Sequence, residues 1–116
     1  MTVSAPDLSK EPPRSGREML GGYAFLARAA DKVRAEVAGT SGDYIGFCPF
    51  TMGFLERCGV DKKTFHTLIA QGASDKDLVE HFDQTVPPEK REAANRYVLE
   101  EMAPHLDEQD AEEGRA

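Results

Sequence analysis

Residues Arg14 to Gly39 read RSGREMLGGYAFLARAADKVRAEVAG. Ser15 is a helix-capping residue type, and Glu18, three residues on, is placed to reach back to the amide of the cap. Met19, Tyr23, Leu26, Ala30, Val33 and Val37 recur at steps of three and four, which puts them on one helical face. Gly39 is a natural left-handed stop. The spacing therefore predicts one long helix over 16–38, the main element of the fold. Gly21 and Gly22 weaken that helix by roughly 0.8–1 kcal/mol each relative to alanine. Phe25 falls on the opposite side of the wheel, among Glu18, Lys32 and Glu36, bordered by the small residues Gly22 and Ala29. An aromatic beside small residues calls for something packed against it, either the chain's own fifth helix or N-terminal arm, or a second subunit. Gly22, Phe25 and Ala29 are thus the candidate interaction surface, and a homodimer is one expected assembly.

Downstream, GTSGDYIGFCP (39–49) carries three glycines and one short apolar patch. A single strand there would have nothing to pair with, so it reads as a loop. Pro49 suits the first turn of a second helix and Gly59 its stop. Asp61 caps a third helix, with Val60 placed to close over Phe65, and Gly72 ends it. Ser74 caps a fourth with Asp77 three residues on, a capping box of shorter reach than one with glutamate. Pro87 and Pro88 separate it from a fifth, roughly 89–102, with Ala94, Tyr97, Val98 and Met102 along one side. The expectation is an all-α fold, a compact single domain of about five helices, one long N-terminal helix followed by shorter ones.

The ends read differently. Residues 1–13 are polar, hold three prolines and show no period, so they are expected to be a flexible arm ahead of a helical domain over 14–106. Residues 107–116 hold Asp107, Glu108, Asp110, Glu112 and Glu113 against Arg115, the pattern of a solvated, disordered acidic tail. That segment carries more than half of a net charge of -7 in a chain of 116 residues. With 40% hydrophobic and 30% charged residues the composition is that of an ordinary globular domain. No apolar run approaches the ~18 residues of a membrane span and the first 20 residues lack the apolar block of a signal peptide, so neither membrane association nor export is expected and the location reads as cytoplasmic.

Chemistry is sparse. Cys48 and Cys58 are the only cysteines and, with His66, His81 and His105, lack the close pairs a zinc site needs. No metal and no cofactor are expected. Cys58 lies on the inward line of the second helix and reads as core. Cys48 stands at the cap of that helix, where the dipole favours a thiolate, but Phe47 and Phe50 argue for an apolar setting that raises a thiol's pKa. Packing is its favoured reading. A reactive thiol, with His66 or His81 as base, defines the alternative: a small thiol-dependent enzyme or redox protein. FHTLIAQGASDKDLVEHF (65–82) places two short helices about a tight turn, but Asp75, Asp77, Glu80 and Asp83 on the second would repel phosphates, so nucleic acid is not an expected partner. Arg14 and Arg17 flank Ser15 at the entrance of the first helix, where free amides favour anions. Solvation, or pairing with Glu18, is the plainer account of both.

Specific motifs recur in combination: Pro-Arg-Ser at 13–15, Gly-Gly-Tyr at 21–23, Leu-Ala-Arg at 26–28, Asp-Lys-x-Arg at 31–34, Asp-Tyr at 43–44 before Cys48-Pro49, and Gly-x-Ser-Asp at 72–75. From about Pro13 to Phe82 the chain resembles a small bacterial family known as domain of unknown function 5069, and after Phe82 it departs from that pattern. The resemblance implies a helical domain without an established activity and supplies no catalytic residues. Matching polar residues include Arg14, Arg17, Tyr23, Arg28, Asp31, Lys32, Arg34 and Tyr44. Asp31 is spaced to hold Arg28, and Arg34, at the edge of the apolar half, needs an acidic partner, for which Asp43 is the candidate. The resulting expectation is a non-enzymatic binding or protein-interaction module. Arg14, Arg17, Arg28 and Tyr44 are its candidate ligand contacts, and its partner is an unidentified protein or a small anionic ligand.

Overall fold

Gly21 and Gly22 do not sit in a helix. Both have positive φ, 60° and 87°, as the two central residues of a type I′ hairpin turn require. They join β1 (Met19–Leu20) to β2 (Tyr23–Ala24), antiparallel, with Met19 opposite Ala24 and Leu20 opposite Tyr23. In this computed structural model, which describes residues 5–115, the first helix begins only at Leu26. It spans Leu26–Ala38 (α1) and stops at Gly39 in the left-handed region. The expected long helix over 16–38 is therefore a hairpin followed by a helix of 13 residues. Met19 and Val37, expected to face inward, are about half exposed.

Phe25 makes the junction between them. It is the only described non-glycine residue with positive φ (72°), a conformation costing ~1–2 kcal/mol. Its amide donates to the Gly16 carbonyl at 2.9 Å, and its ring stacks on Phe50 at 4.2 Å and lies against Phe54. Complete burial of a phenylalanine stabilises by about 1.5–3 kcal/mol, and a stacked partner adds roughly 0.5–1.5, so packing outweighs the backbone strain. Phe25 and Ala29 have no exposed surface. Of the two alternatives for this side, the chain covers it itself, so Phe25 and Ala29 do not form the candidate interaction surface, and of the three only Gly22, at the hairpin tip, is exposed. The C-terminal part of the chain closes this side, since a Cβ on Gly16 would meet Leu106 at 2.5 Å and the Phe25 ring at 3.0 Å.

The next three helices form where local signals place them. α2 (Pro49–Cys58) starts on Pro49 and ends at Gly59. α3 (Lys62–Ala70) is capped by Asp61, which accepts from the Thr64 amide, with Val60 and Phe65 both buried. α4 (Asp75–Thr85) opens on the complete capping box of Ser74 and Asp77. The fifth expected helix, roughly 89–102, is α5 (Pro88–Arg96) continued by a π turn over Tyr97–Glu101, and after a break an unexpected sixth helix, α6 (Ala103–Glu112), follows. Pro104 explains the break, because it lacks the amide that would continue the ladder and its ring crowds the preceding turn. Asp107 to Glu112, expected in a disordered tail, belong to α6, with Leu106 fully buried beneath it. The N-terminal segment is also tied down: Leu8 is buried, its amide donates to the Thr40 carbonyl at 2.8 Å, and the Thr40 hydroxyl donates to the Pro6 carbonyl. The expected flexible arm over 1–13 is thus docked in its described portion, and residues 1–4 lie outside the described residues.

The result is a compact single domain, mostly helical, with six helices and a tiny two-stranded sheet among the described residues. Tyr23, Phe25, Phe54, Phe65 and Phe82 fill its centre. Ten consecutive residues of α1, Leu26 to Ala35, are buried, so this helix is enclosed on every side. Its polar residues must find partners inside the protein or pay for desolvation. Among the described residues, no helix is long and apolar enough to cross a membrane.

Candidate functional site

α1 presents four charged residues that are buried: Arg28, Asp31, Lys32 and Arg34. Two of them close one network. Asp31 accepts from the Arg14 amide at 2.9 Å and from its guanidinium at 3.0 Å, and Arg14 continues to Asp75 at 2.9 Å. Arg34 donates to Asp75 at 2.9 Å and to the Ala73 carbonyl at 3.1 Å. Asp31 therefore holds Arg14 rather than Arg28, and Arg34 pairs with Asp75 rather than Asp43. The Arg14 hydrogen bond holds the Asp75 carboxyl below its ordinary range despite partial burial, with Arg34 adding to it. Arg14 is thus occupied within the fold, and Arg17 pairs with Asp107. Neither marks an open helix start, because α1 begins at Leu26. Ser15, expected to cap a helix, donates instead to Asp110 at 2.8 Å.

Arg28 closes a second cluster. Its two terminal nitrogens donate to the two carboxylate oxygens of Glu113 at 2.8 and 2.7 Å. The Tyr44 hydroxyl donates to Glu113 at 3.0 Å, and Arg115 also pairs with Glu113. Burial opposes ionisation of Glu113, but Arg28, Tyr44 and Arg115 together bring its pKa down. Tyr44 is raised by burial and by the adjacent carboxylate. Two of the four expected ligand contacts, Arg28 and Tyr44, are engaged by the chain's own C-terminal end.

Lys32 differs from all of these. It is only 4% exposed, yet among the described residues its ammonium has no carboxylate in ion-pair range. Its one hydrogen-bond partner is the Cys48 sulfur, 3.1 Å away. Cys48 is the N-cap residue of α2, held there because Pro49 opens the helix and because the preceding loop is pinned to α1 by the Gly46 amide donating to Glu36 at 2.9 Å. The sulfur also contacts the Thr51 hydroxyl at 3.5 Å. It closes no ideal cap bond to the helix amides, so the Thr51 amide acts on it chiefly as a dipole. Burial disfavours the thiolate, but the Thr51 hydroxyl and amide and then the Lys32 ammonium outweigh it, bringing the thiol to about 7. Cys58, packed in the core with no such neighbours, is pushed by burial up to about 12. The expected packing role fits Cys58; Cys48, half-buried, packs against the core and also meets Lys32 and Thr51. Among the described residues neither His66 nor His81 is hydrogen-bonded to Cys48: His66 lies near the Phe47 ring and His81 against Phe82.

Arg28, Lys32, Tyr44 and Cys48 line one open cleft of about 510 Å³ between α1, the 43–48 loop and the C-terminal end, with Asp43 and Glu112 on its exposed rim. Gln109 lines it too, and both its Oε1 and the Arg28 Nε are buried without a partner among the described residues. A larger hollow of about 630 Å³ beside Arg17, Asp107, Asp110 and Arg115 has its charges paired with one another. No three His, Cys, Asp or Glu side chains among the described residues gather as a metal would require. Lys32 and Glu113, which give the cleft its character, stand in the sequence only as a polar residue of the family motifs and as part of an acidic tail, and neither is among the candidate site residues read from it. The signal available for Lys32 was its position four residues after Arg28 within a specific motif, and for Glu113 there was none.

The fold and cleft define a small helical domain with an ionisable thiol in a polar hollow. The chain belongs to the family described as Domain of unknown function (DUF5069), which it matches over residues 10–115. The match runs through α5 and α6, so the chain does not leave the family pattern after Phe82. No curated protein matches the sequence.

Proposed function

We propose that the chain is a binding module whose cleft takes a small molecule through an anionic group seated on Lys32. The observation that carries this reading is the buried Lys32 ammonium with a thiol, not a carboxylate, as its partner. A buried ammonium has a strong demand for negative charge, and while Cys48 is protonated a small carboxylate or oxyanion can meet it. Asp43 and Glu112 on the rim, with the net charge of -7, disfavour extended polyanions such as nucleic acids. Two free cysteines, one ionising near neutrality, suit a reducing compartment such as the cytoplasm.

The test is titration of the native chain with formate and with inorganic phosphate, followed by amide shifts in NMR spectra. Shifts confined to residues 28–32 and 43–48, weaker above neutrality where the thiolate competes for the ammonium and absent in Lys32→Met, support the reading. Shifts spread over the surface, or unchanged in Lys32→Met, overturn it.

A further inference from the structure

The contact between Lys32 and Cys48 carries a second consequence that does not require a bound ligand. A lysine buried to 4% exposure with its ammonium 3.1 Å from a cysteine sulfur stabilises any negatively charged state of that sulfur, the sulfenate included. Cys48 is only half-buried and opens on the cleft, so a small neutral oxidant can reach it. The Thr51 hydroxyl on its other side supplies a further donor.

We propose that Cys48 is a modification site for hydrogen peroxide, forming a sulfenic acid held as its anion by Lys32. In this step the thiolate lone pair attacks one peroxide oxygen and the O–O bond breaks. The departing hydroxide takes a proton from the Lys32 ammonium and leaves as water. The sulfur is oxidised by two electrons, the peroxide is reduced by two, and the new sulfenic proton passes to the Lys32 amine, restoring the ion pair. The only other cysteine, Cys58, is 1% exposed in the core on the far end of α2, so an internal disulfide does not follow. Return to the thiol falls to a small-molecule thiol: one equivalent displaces water from the sulfenic acid to give a mixed disulfide, and a second releases Cys48 with formation of the free disulfide. The titratable and charged groups lining the cleft with Cys48 are Lys32 and Arg28 from α1, Asp43 and Tyr44 from the loop, and Glu112 and Glu113 from the C-terminal end. Of these, Lys32 is the one in contact with the sulfur.

The experiment treats the native chain with hydrogen peroxide in the presence of dimedone and follows adducts by peptide mass spectrometry, on either side of neutrality, beside free glutathione as reference. The expected result is an adduct on Cys48 alone, formed faster than on glutathione at neutral pH. The rate should rise toward its plateau near neutrality and fall roughly fivefold to tenfold in Lys32→Met, the loss of thiolate being partly offset by the greater nucleophilicity of a more basic sulfur. A Cys48 rate no faster than glutathione, a rate that keeps climbing well above neutrality as for a free thiol, an unchanged rate in Lys32→Met, or an adduct on Cys58 instead overturns the proposal. The wild-type pH profile decides the matter even where Lys32→Met fails to fold. Anion titration and peroxide reactivity are read separately, so loss of one does not imply loss of the other.

Discussion

Arg28 and Lys32 stand one turn apart on α1, both almost fully buried, and the protein treats them oppositely. Arg28 meets a bidentate carboxylate, itself held by a tyrosine and a second arginine. Lys32 meets a thiol. A planar guanidinium matched to a carboxylate is the geometry that offsets desolvation best, so the Arg28 cluster reads as structural: it clamps the C-terminal end onto α1. A compact ammonium facing an ionisable sulfur is a poor structural solution at neutral pH and a good chemical one. Two similar charges in the same setting thus differ in the identity of their partners, and the proposed function rests on that difference.

The comparison is most exposed to Glu113→Ala. Removing that carboxylate leaves Arg28 buried and unpaired, which is expected to cost about 3–5 kcal/mol in urea melts. The double variant Arg28→Met, Glu113→Met should recover most of the loss. A small effect of Glu113→Ala would mean that the clamp opens readily and that Arg28 belongs with the cleft after all. Tyr44→Phe removes one hydrogen bond to the same carboxylate, and a loss of about 1 kcal/mol is expected. Its rate of reaction with peroxide at Cys48 should stay at the wild-type value; a slower rate would join the two clusters.

Stability against pH sharpens the other half. The Cys48 thiol stands near 7 in the folded protein against an ordinary value of 9.0, a depressed folded pKa. Its stabilisation is therefore fully present above 9.0 and is lost as pH falls through about 7. The stability of the wild type relative to Cys48→Ser should grow across that window, by no more than ~1 kcal/mol once solvent screening of a half-exposed group is allowed for. A flat difference would show that the thiolate is not favoured. The smallest effect is expected from Lys32→Met below neutrality. Exchanging a buried, poorly partnered ammonium for an apolar side chain should leave stability within ~0.5 kcal/mol or raise it, and the variant should become the less stable protein only where Cys48 ionises. A loss at low pH as large as that of Glu113→Ala would make Lys32 a structural residue like Arg28.

The part of the fold legible in the sequence was the part whose causes are local. Gly59, the Asp61 cap, the Ser74 and Asp77 box and the Cys48-Pro49 entry act within a few residues, and all appear where their spacing places them. The N-terminal region misled because Met19 and Tyr23 happen to sit four residues apart, continuing the period of α1 across a hairpin. The Gly-Gly dipeptide between two apolar pairs was the available signal for a type I′ turn, and a helical period overrode it. Acidic density similarly suggested a tail, where Leu106 and Glu113 in fact dock α6 and its end onto the core.

By itself, then, the sequence determined a small, mostly helical domain, the limits of α2, α3 and α4, the inward position of Cys58 and the placement of Cys48 at a helix cap, because each follows from backbone chemistry over a single turn or two. Tertiary structure alone decided what the charges on α1 do. Arg28 finds its carboxylate 85 residues away and Lys32 its thiol 16 residues away across a loop, while Asp31 turns from the neighbour its spacing suggests to Arg14. A helix enclosed on every side draws partners from whichever segments pack against it, and that choice is set by the shape of the whole core rather than by any spacing along the chain.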